Sequence, residues 1–482
     1  MEDCCLGSTC SCLYVSCWTV TLLRLTTFLS ILQHISNSFT PKAAQLRFIL
    51  IHLVFLLTKF NVQHSTMSPV LPFDIIALII DNVGEDDTNI LKELALVSHS
   101  FLEISSKYLF ATIELHDADS KHHVASSKKG FVKLLRSKPD VVKYIRNLTY
   151  NIERDHVQSQ LPQFSPHLNI DNDDNLLSPI LPNFLRTISH LNSLKINASL
   201  LVWNDLNSSL TSAFLHLMHL PTVTRIDLSY ISNFPLPSLT LSVNLLRLDI
   251  HRLSARDRLF LEDGSSEFVV QSEMMPKIRE FCNFGSSWLT TKLLQAKMLD
   301  GRPAFNFMDL RQLSSFFVHL EDERNIRFIL QNAKLLEKLH LIVEHYWSLV
   351  SLHDILSPCA RTLRVLDLSI LLYHEPPIPP LAGLCEELEA MTGRNVLEVL
   401  SVRVNIYDGC EIDESIGPIF QKLEVLVEPG WSSLREVTLY VCCLRAVERE
   451  KAEILRSLPN KYLSRLSKLE SVTFDYSIMF TR

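Results

Sequence analysis

From Tyr144 onward, apolar residues return in one arrangement: an apolar position, two intervening residues, a second apolar position, one intervening residue, a third. It occurs at Ile145/Leu148/Tyr150, Leu191/Leu194/Ile196, Val223/Ile226/Leu228, Leu245/Leu248/Ile250, Leu313/Phe316/Val318, Leu336/Leu339/Leu341, Leu363/Leu366/Leu368, Leu397/Leu400/Val402, Leu434/Val437/Leu439 and Leu469/Val472/Phe474. A weaker copy, Ile278/Phe281, breaks at Asn283. The last two apolar residues of each copy alternate along one face of a strand, and the first anchors the turn into it. Intervals of about 22 to 46 residues separate the copies. That leaves room for a helix and a loop between strands, and residues 209–220, 324–332 and 446–458 carry a helical pattern.

Upstream, residues 71–110 change period. Leu71-Pro72 opens a helix, since proline lacks only an N–H that a first turn leaves unpaired anyway. Ile75, Ile76, Leu78, Ile79, Ile80 and Val83 follow at helical spacing, until Gly84-Glu85-Asp86-Asp87 breaks it. A second helix is predicted after Asp87-Thr88, with Ile90, Leu91, Leu94 and Val97 as its stripe. A third is predicted from Ser100, where Glu103 completes the spacing of a capping box. An extended stretch, 111–116, ends the segment. Three short helices cannot bury this much apolar surface among themselves, so other parts of the chain or a partner must cover the rest.

Two resemblances follow. The strand spacing is similar to leucine-rich repeats, although their regular period is about 20–29 residues. The repeat consensus also places Asn or Cys three residues after the last strand apolar. Asn405 and Cys442 fit; Ser199, Ile231, Leu253, Glu344, Leu371 and Ser477 do not. The array is therefore expected to be irregular, and a run of ordinary α/β units would give similar patterns. Leu71-Pro72-x-x-Ile75-Ile76-x-x-Ile79-Ile80, Leu94-x-Leu96-Val97-Ser98-x-x-Phe101 and Tyr108-Leu109-Phe110-x-x-Ile113 resemble an F-box, most of all the divergent F-box-like proteins abundant in fungi. The resemblance implies docking on a Skp-type adaptor and, through it, a cullin. Leu71, Pro72, Ile75, Ile76, Ile79, Val97 and Phe101 would face or shape that contact. A three-helix cap on the repeats that binds nothing is the other reading.

Composition narrows the functional classes. Of 482 residues, 47% are hydrophobic and 21% charged, with net charge −7. An acidic chain argues against a general nucleic-acid binder. The basic run from Lys121 to Lys143 reads as a solvated face. With 11 glycines and no phosphate-loop motif, the common nucleotide enzymes are disfavoured. No nucleophile elbow occurs. His340 and His345 flank Glu344 without zinc-peptidase spacing, and His216 and His219 lack a third ligand nearby. Asp171–Asn175 lacks the glycine and distal glutamate of a calcium loop. Trp203, Trp288, Trp347 and Trp431 are read as core packing, although any on the inner curve could anchor a ligand. A hydrolase built on an α/β sheet would need a cleft with perturbed acid–base groups, and no candidate set is evident.

Residues 1–66 stand apart. Five cysteines, Cys4, Cys5, Cys10, Cys12 and Cys17, crowd the start, and the other six are scattered from Cys282 to Cys443 without patterned spacing. Scattered thiols point to a reducing compartment. The apolar stretch 13–35 carries Arg24, and 48–57 is shorter than the roughly 20 residues of a membrane span. A membrane anchor, an amphipathic helix packed on the body, and a segment outside the natural product, with initiation at Met67, remain open; the last is favoured.

The expectation is an α/β protein without catalytic residues, metal or cofactor, in the cytoplasm, the nucleus or both. Residues 67–116 would form the F-box-like domain. Residues 117–482 would form a degenerate leucine-rich repeat domain, with parallel strands on the concave face and helices and loops on the convex face. The chain would be the target-recognition subunit of a cullin–RING ubiquitin ligase, or a leucine-rich scaffold with no ligase role.

Overall fold

A computed structural model describes residues 74, 77, 78, 80, 81, 88–97, 99–116, 128–152, 180–254, 269–270, 274–317, 320–344, 355–372, 382–407, 416–444 and 449–480. The chain divides into two compact units, residues 1–113 with 133–148 and residues 114–132 with 149–482.

In the first unit, Asp74, Ala77, Leu78, Ile80 and Asp81 are helical. Helices α1 (Thr88–Val97) and α2 (His99–Leu109) follow and pack on each other. Their stripes meet the helical expectation: Ile80, Leu91, Leu94, Phe101 and Ile104 are each 5% exposed or less. Ser100 lies inside α2 rather than capping it, so the predicted capping box does not start the helix. The Ala111 carbonyl accepts the Arg146 and Asn147 N–H groups, 2.8 and 2.9 Å away. The unit includes the start of β1 (Thr112–His116) and of β2 (Asn147–Ile152).

The second unit holds the rest of β1 and β2 and all later strands. These are β3 (Ser193–Val202), β4 (Arg225–Ser232), β5 (Arg247–His251), β6 (Val269–Val270), β7 (Glu280–Phe284), β8 (Lys297–Met298) and β9 (Gln312–Phe317). They continue as β10 (Lys338–Glu344), β11 (Val365–Leu372), β12 (Val399–Ile406), β13 (Glu436–Cys443) and β14 (Thr473–Phe480). Twelve form one open sheet in chain order, β6 and β8 pairing apart from it. Every neighbouring pair from β3 to β14 is parallel. Parallel neighbours need crossovers of a dozen or more residues, which accounts for the long intervals in the sequence. Several crossovers contain helices: α3 (Lys128–Ser137), α4 (Ile180–Leu185), α5 (Ser208–Met218), α6 (Ser287–Gln295), α7 (Leu320–Asn332), α8 (Ala382–Met391), α9 (Ile416–Gln421) and α10 (Arg449–Tyr462). The three helical stretches expected from the sequence fall on α5, α7 and α10. Asn207 caps α5, its side chain accepting the Ser209 N–H at 2.8 Å.

Register turns the apolar pattern into two ladders. One runs Leu194, Ile226, Leu248, Phe281, Leu313, Leu339, Leu366, Leu400, Val437, Phe474. The other runs Ile196, Leu228, Ile250, Asn283, Ser315, Leu341, Leu368, Val402, Leu439, Tyr476. Each fully buried leucine or isoleucine contributes about 1.5–3 kcal/mol.

Two predicted copies are corrected by this register. Leu313 pairs with Leu339, so the copy in β9 is Leu310/Leu313/Ser315, not Leu313/Phe316/Val318. Phe474 and Tyr476 pair with Val437 and Leu439, so the last copy is shifted by two residues. In β9 two overlapping triplets compete. The Arg311 carbonyl, accepting the Glu337 and Lys338 N–H groups, sets which one faces inward. The break at Asn283 is a substitution, not the end of a strand: Asn283 occupies the position of Ile250 in the next strand.

Candidate functional site

Most of the predicted adaptor-facing set, Leu71, Pro72, Ile75, Ile76 and Ile79, lies outside the described residues, as does the side chain of Val97 at the end of α1. Phe101 is buried inside its unit. Two leucines behave otherwise. Leu78 is 54% and Leu96 80% exposed, although both neighbour buried positions. The Asp81 carboxylate accepts a hydrogen bond from Lys107 at 2.8 Å and one from the Tyr108 hydroxyl. These bonds hold the Asp81 carboxyl below the usual range, Lys107 acting most strongly. They tie the segment around Leu78 to α2.

On the sheet, the side chains that alternate with the buried ladders form a second surface. Between β3 and β7 it is charged and self-paired. Lys195 Nζ lies 2.9 Å from Asp227 Oδ2, and Arg247 lies 2.9 Å from Asp249 and 2.8 Å from Glu280. Arg225 reaches Asp249 at 3.4 Å. Asp227 and Asp249 are each 5% exposed or less, so the cations also supply what desolvation takes from them. Next along the strands comes an aromatic row: His251 stacks on Phe284 with centroids 5.1 Å apart, and Phe284 meets Phe316 at 6.5 Å.

The carboxyl ends of β1–β5 carry the largest irregularity. The β3–β4 register jumps between Asn197 and Leu201, so that three residues of β3 oppose Tyr230 alone. Tyr230 and Arg252 have φ of 59° and 48°, and Gly285 of 64°. Each stands five residues beyond the register-matched Arg225, Arg247 and Glu280. One left-handed position thus recurs on three successive strands. Glycine adopts it readily, whereas Tyr and Arg there cost on the order of 1–3 kcal/mol each. Ser286, beside Gly285, accepts the Leu253 N–H at 2.8 Å. It stands three residues after Asn283, the consensus position for Asn or Cys, and satisfies a main-chain N–H there. Asn405 instead donates to the Ser369 hydroxyl on β11 at 3.0 Å.

Around this irregularity lies a cleft of about 700 Å³ lined by Glu114, His116, Asn151, Ile152, Asn197, Ala198, Ser199, Tyr230, Ser232, Arg252 and Ser254. Asn151 donates to Glu114 Oε1 at 2.7 Å, and Asn197 donates to Asn151 Oδ1 at 3.3 Å. His116 Nε2 is 3.3 Å from Glu114. The Arg252 guanidinium lies over the Tyr230 ring, 5.5 Å from its centroid. An aromatic cluster stiffens the same part of the unit: Tyr150 meets Phe214 edge-on at 5.1 Å, and Trp203 meets Phe234 at 4.9 Å. Trp203 is thus a core residue, as its type suggested.

The sequence did not single out this cleft. Its residues come from separate strands, and nothing in their spacing marks them. The outward asparagines of β2 and β3 and the glycine after β7 were the available signals. His340 lies on β10 as expected, 3.8 Å from Asp367. His219 Nε2 is 2.9 Å from the Ser238 carbonyl, and burial holds its pKa below the ordinary imidazole value. Among the described residues no three His, Cys, Asp or Glu side chains gather as a metal site, and no helix is long and apolar enough to cross a membrane. Compared with protein-family models and with curated proteins, the chain matches none.

Proposed function

We propose that this chain is a target-recognition subunit of a cullin–RING ubiquitin ligase. Its amino-terminal helices would dock on a Skp-type adaptor, and its sheet unit, read as an irregular leucine-rich repeat solenoid, would hold a target protein. The role requires no catalytic residue in the chain and belongs in the cytoplasm or nucleus. One observation carries the reading: Leu96 is 80% exposed on a helix whose Leu91 and Leu94 are buried, within the segment that resembles an F-box. Apolar side chains left uncovered beside a packed helix pair are the usual mark of a protein contact. The sheet unit supports the second half of the role by offering charged and aromatic rows on its outward side.

The test is a pull-down of the full chain with a purified Skp-type adaptor. Capture is expected from the native sequence and loss from the combined Leu71→Ala, Pro72→Ala and Ile76→Ala variant. Leu96→Lys should weaken capture without lowering the melting temperature. Absence of capture from the native chain at low salt would favour a leucine-rich scaffold without a ligase role.

A further inference from the structure

We propose that the cleft at the carboxyl ends of β1–β5 binds an extended peptide segment of about six residues, with an acidic side chain seated on Arg252. This builds on the reading of the sheet unit as the target-binding part and names the chemistry it selects.

The length follows from the sheet. The lining residues come from five neighbouring strands. Strands lie about 4.8 Å apart, so Glu114 on β1 and Arg252 beyond β5 are separated by roughly 19 Å. An extended chain advances about 3.3 Å per residue, so about six residues span that distance.

The polarity follows from the side chains. The other cations on this part of the sheet, Lys195, Arg225 and Arg247, each face a carboxylate. Arg252 has no ion-pair partner among the described residues and is exposed. Its guanidinium is held over Tyr230, which fixes the plane of its fork. Both residues sit in left-handed backbone, which sends the two side chains into the cleft instead of continuing the strand alternation. A planar guanidinium with its donors unused is a carboxylate receptor. At the opposite end Glu114 is exposed and negative, which favours a basic or donor residue there. Between them Asn151 is bonded to Glu114 and Asn197, and its bond to Asn197 leaves the Asn197 Oδ1 to accept a peptide N–H.

The experiment is fluorescence anisotropy of the full chain, with no adaptor present, against labelled hexapeptides. Glu, Gln or Lys is fixed at each position in turn and the remainder randomised. Selection of Glu near one terminus and of Lys near the other is expected. The selected peptide should lose about tenfold or more in affinity when its Glu becomes Gln. Arg252→Asn keeps a residue type tolerant of positive φ while removing the charge. It should impose the same loss on the Glu peptide and none on the Gln peptide. Arg252→Asp should come to prefer Lys at that position, and Glu114→Gln should erase only the preference at the far terminus.

Three results would each overturn the proposal: no hexapeptide pool bound at submillimolar concentration, no position selecting Glu, or unchanged affinity in a folded Arg252→Asn protein. Because the readout needs no adaptor, a failed adaptor pull-down leaves this result standing, and the converse holds.

Discussion

The two halves of the sheet are built from the same strand pattern and end in different states. From β10 to β13 the register is unbroken over seven or eight residues per pair. Inward positions there are Leu, Val, Ile and, at the end of β13, Cys443, and no described residue has positive φ apart from glycines. From β3 to β9 the register jumps, three non-glycine residues, Tyr230, Asn233 and Arg252, adopt left-handed backbone, and Asn283 and Ser315 replace inward apolar side chains. The outward face follows the same division, with its densest ion pairs on β3–β7. The difference teaches that regularity comes from the inward apolar rows, whereas the cleft and the left-handed positions gather where the register jumps.

The comparison can be broken most directly by truncation. Leu368 is fully buried and flanked in register by Leu341 and Val402. Leu368→Ala should destabilise the protein by about 2–5 kcal/mol, read as a lower urea midpoint. Ile250→Ala, flanked by Leu228 and the polar Asn283, should cost less, because a polar wall lets water into the space. Equal losses would show the two halves to be energetically alike.

A smaller effect concerns helix packing behind the regular half. A Cβ at Gly417 on α9 would fall inside the Tyr462 ring of α10. Gly417→Ala should therefore destabilise by about 1–3 kcal/mol despite its better helix propensity. Restoration by the double change Gly417→Ala, Tyr462→Ala would assign the loss to that contact.

In the irregular half the sign reverses. Asn283 Oδ1 and Ser315 Oγ are buried without a hydrogen-bond partner among the described residues. Asn283→Leu should raise stability by about 1 kcal/mol, since it removes a desolvated polar group and continues the Ile250 row. A fall in the melting temperature would show that the asparagine is used.

The smallest expected effect is chemical. Cys282, outward on β7, has its thiol pKa pushed up to about 12, first by burial and then by the Asp249 carboxylate. Thiolate is the reactive form, so alkylation of Cys282 at pH 8 should be slow. Asp249→Asn should speed it, followed by peptide mapping after timed iodoacetamide treatment. The sign follows because removing a nearby negative charge lowers the pKa and raises the thiolate fraction.

Much of the fold was legible along the chain. Period-two alternation is a local property that survives whatever the strand pairs with, and so Leu339/Leu341, Leu366/Leu368 and Leu400/Val402 were placed correctly. Helices α1, α2, α5, α7 and α10 carried their own 3.6-residue stripes. The site was less legible. The expected adaptor-facing residues rest on a motif resemblance, and most of them lie outside the described residues. Leu96 was quoted for the motif it belongs to, and its exposure is a tertiary property. The cleft had almost no sequence signal, because Glu114, Asn151, Asn197, Tyr230 and Arg252 are brought together only by strand stacking.

By itself, then, the sequence determined that this protein alternates strands with helices, that the strands bury one face, and that helices precede them. Those properties depend on neighbours within a few residues. Only the tertiary structure decided register, which moved two predicted copies by two or three residues, and only it showed that the break at Asn283 is an inward polar substitution. It also decided that Tyr230, Arg252 and Gly285 share one backbone conformation, because that conformation is imposed by main-chain bonds between strands dozens of residues apart. Pairing energies of that kind are non-local, and no periodicity within a single strand records them.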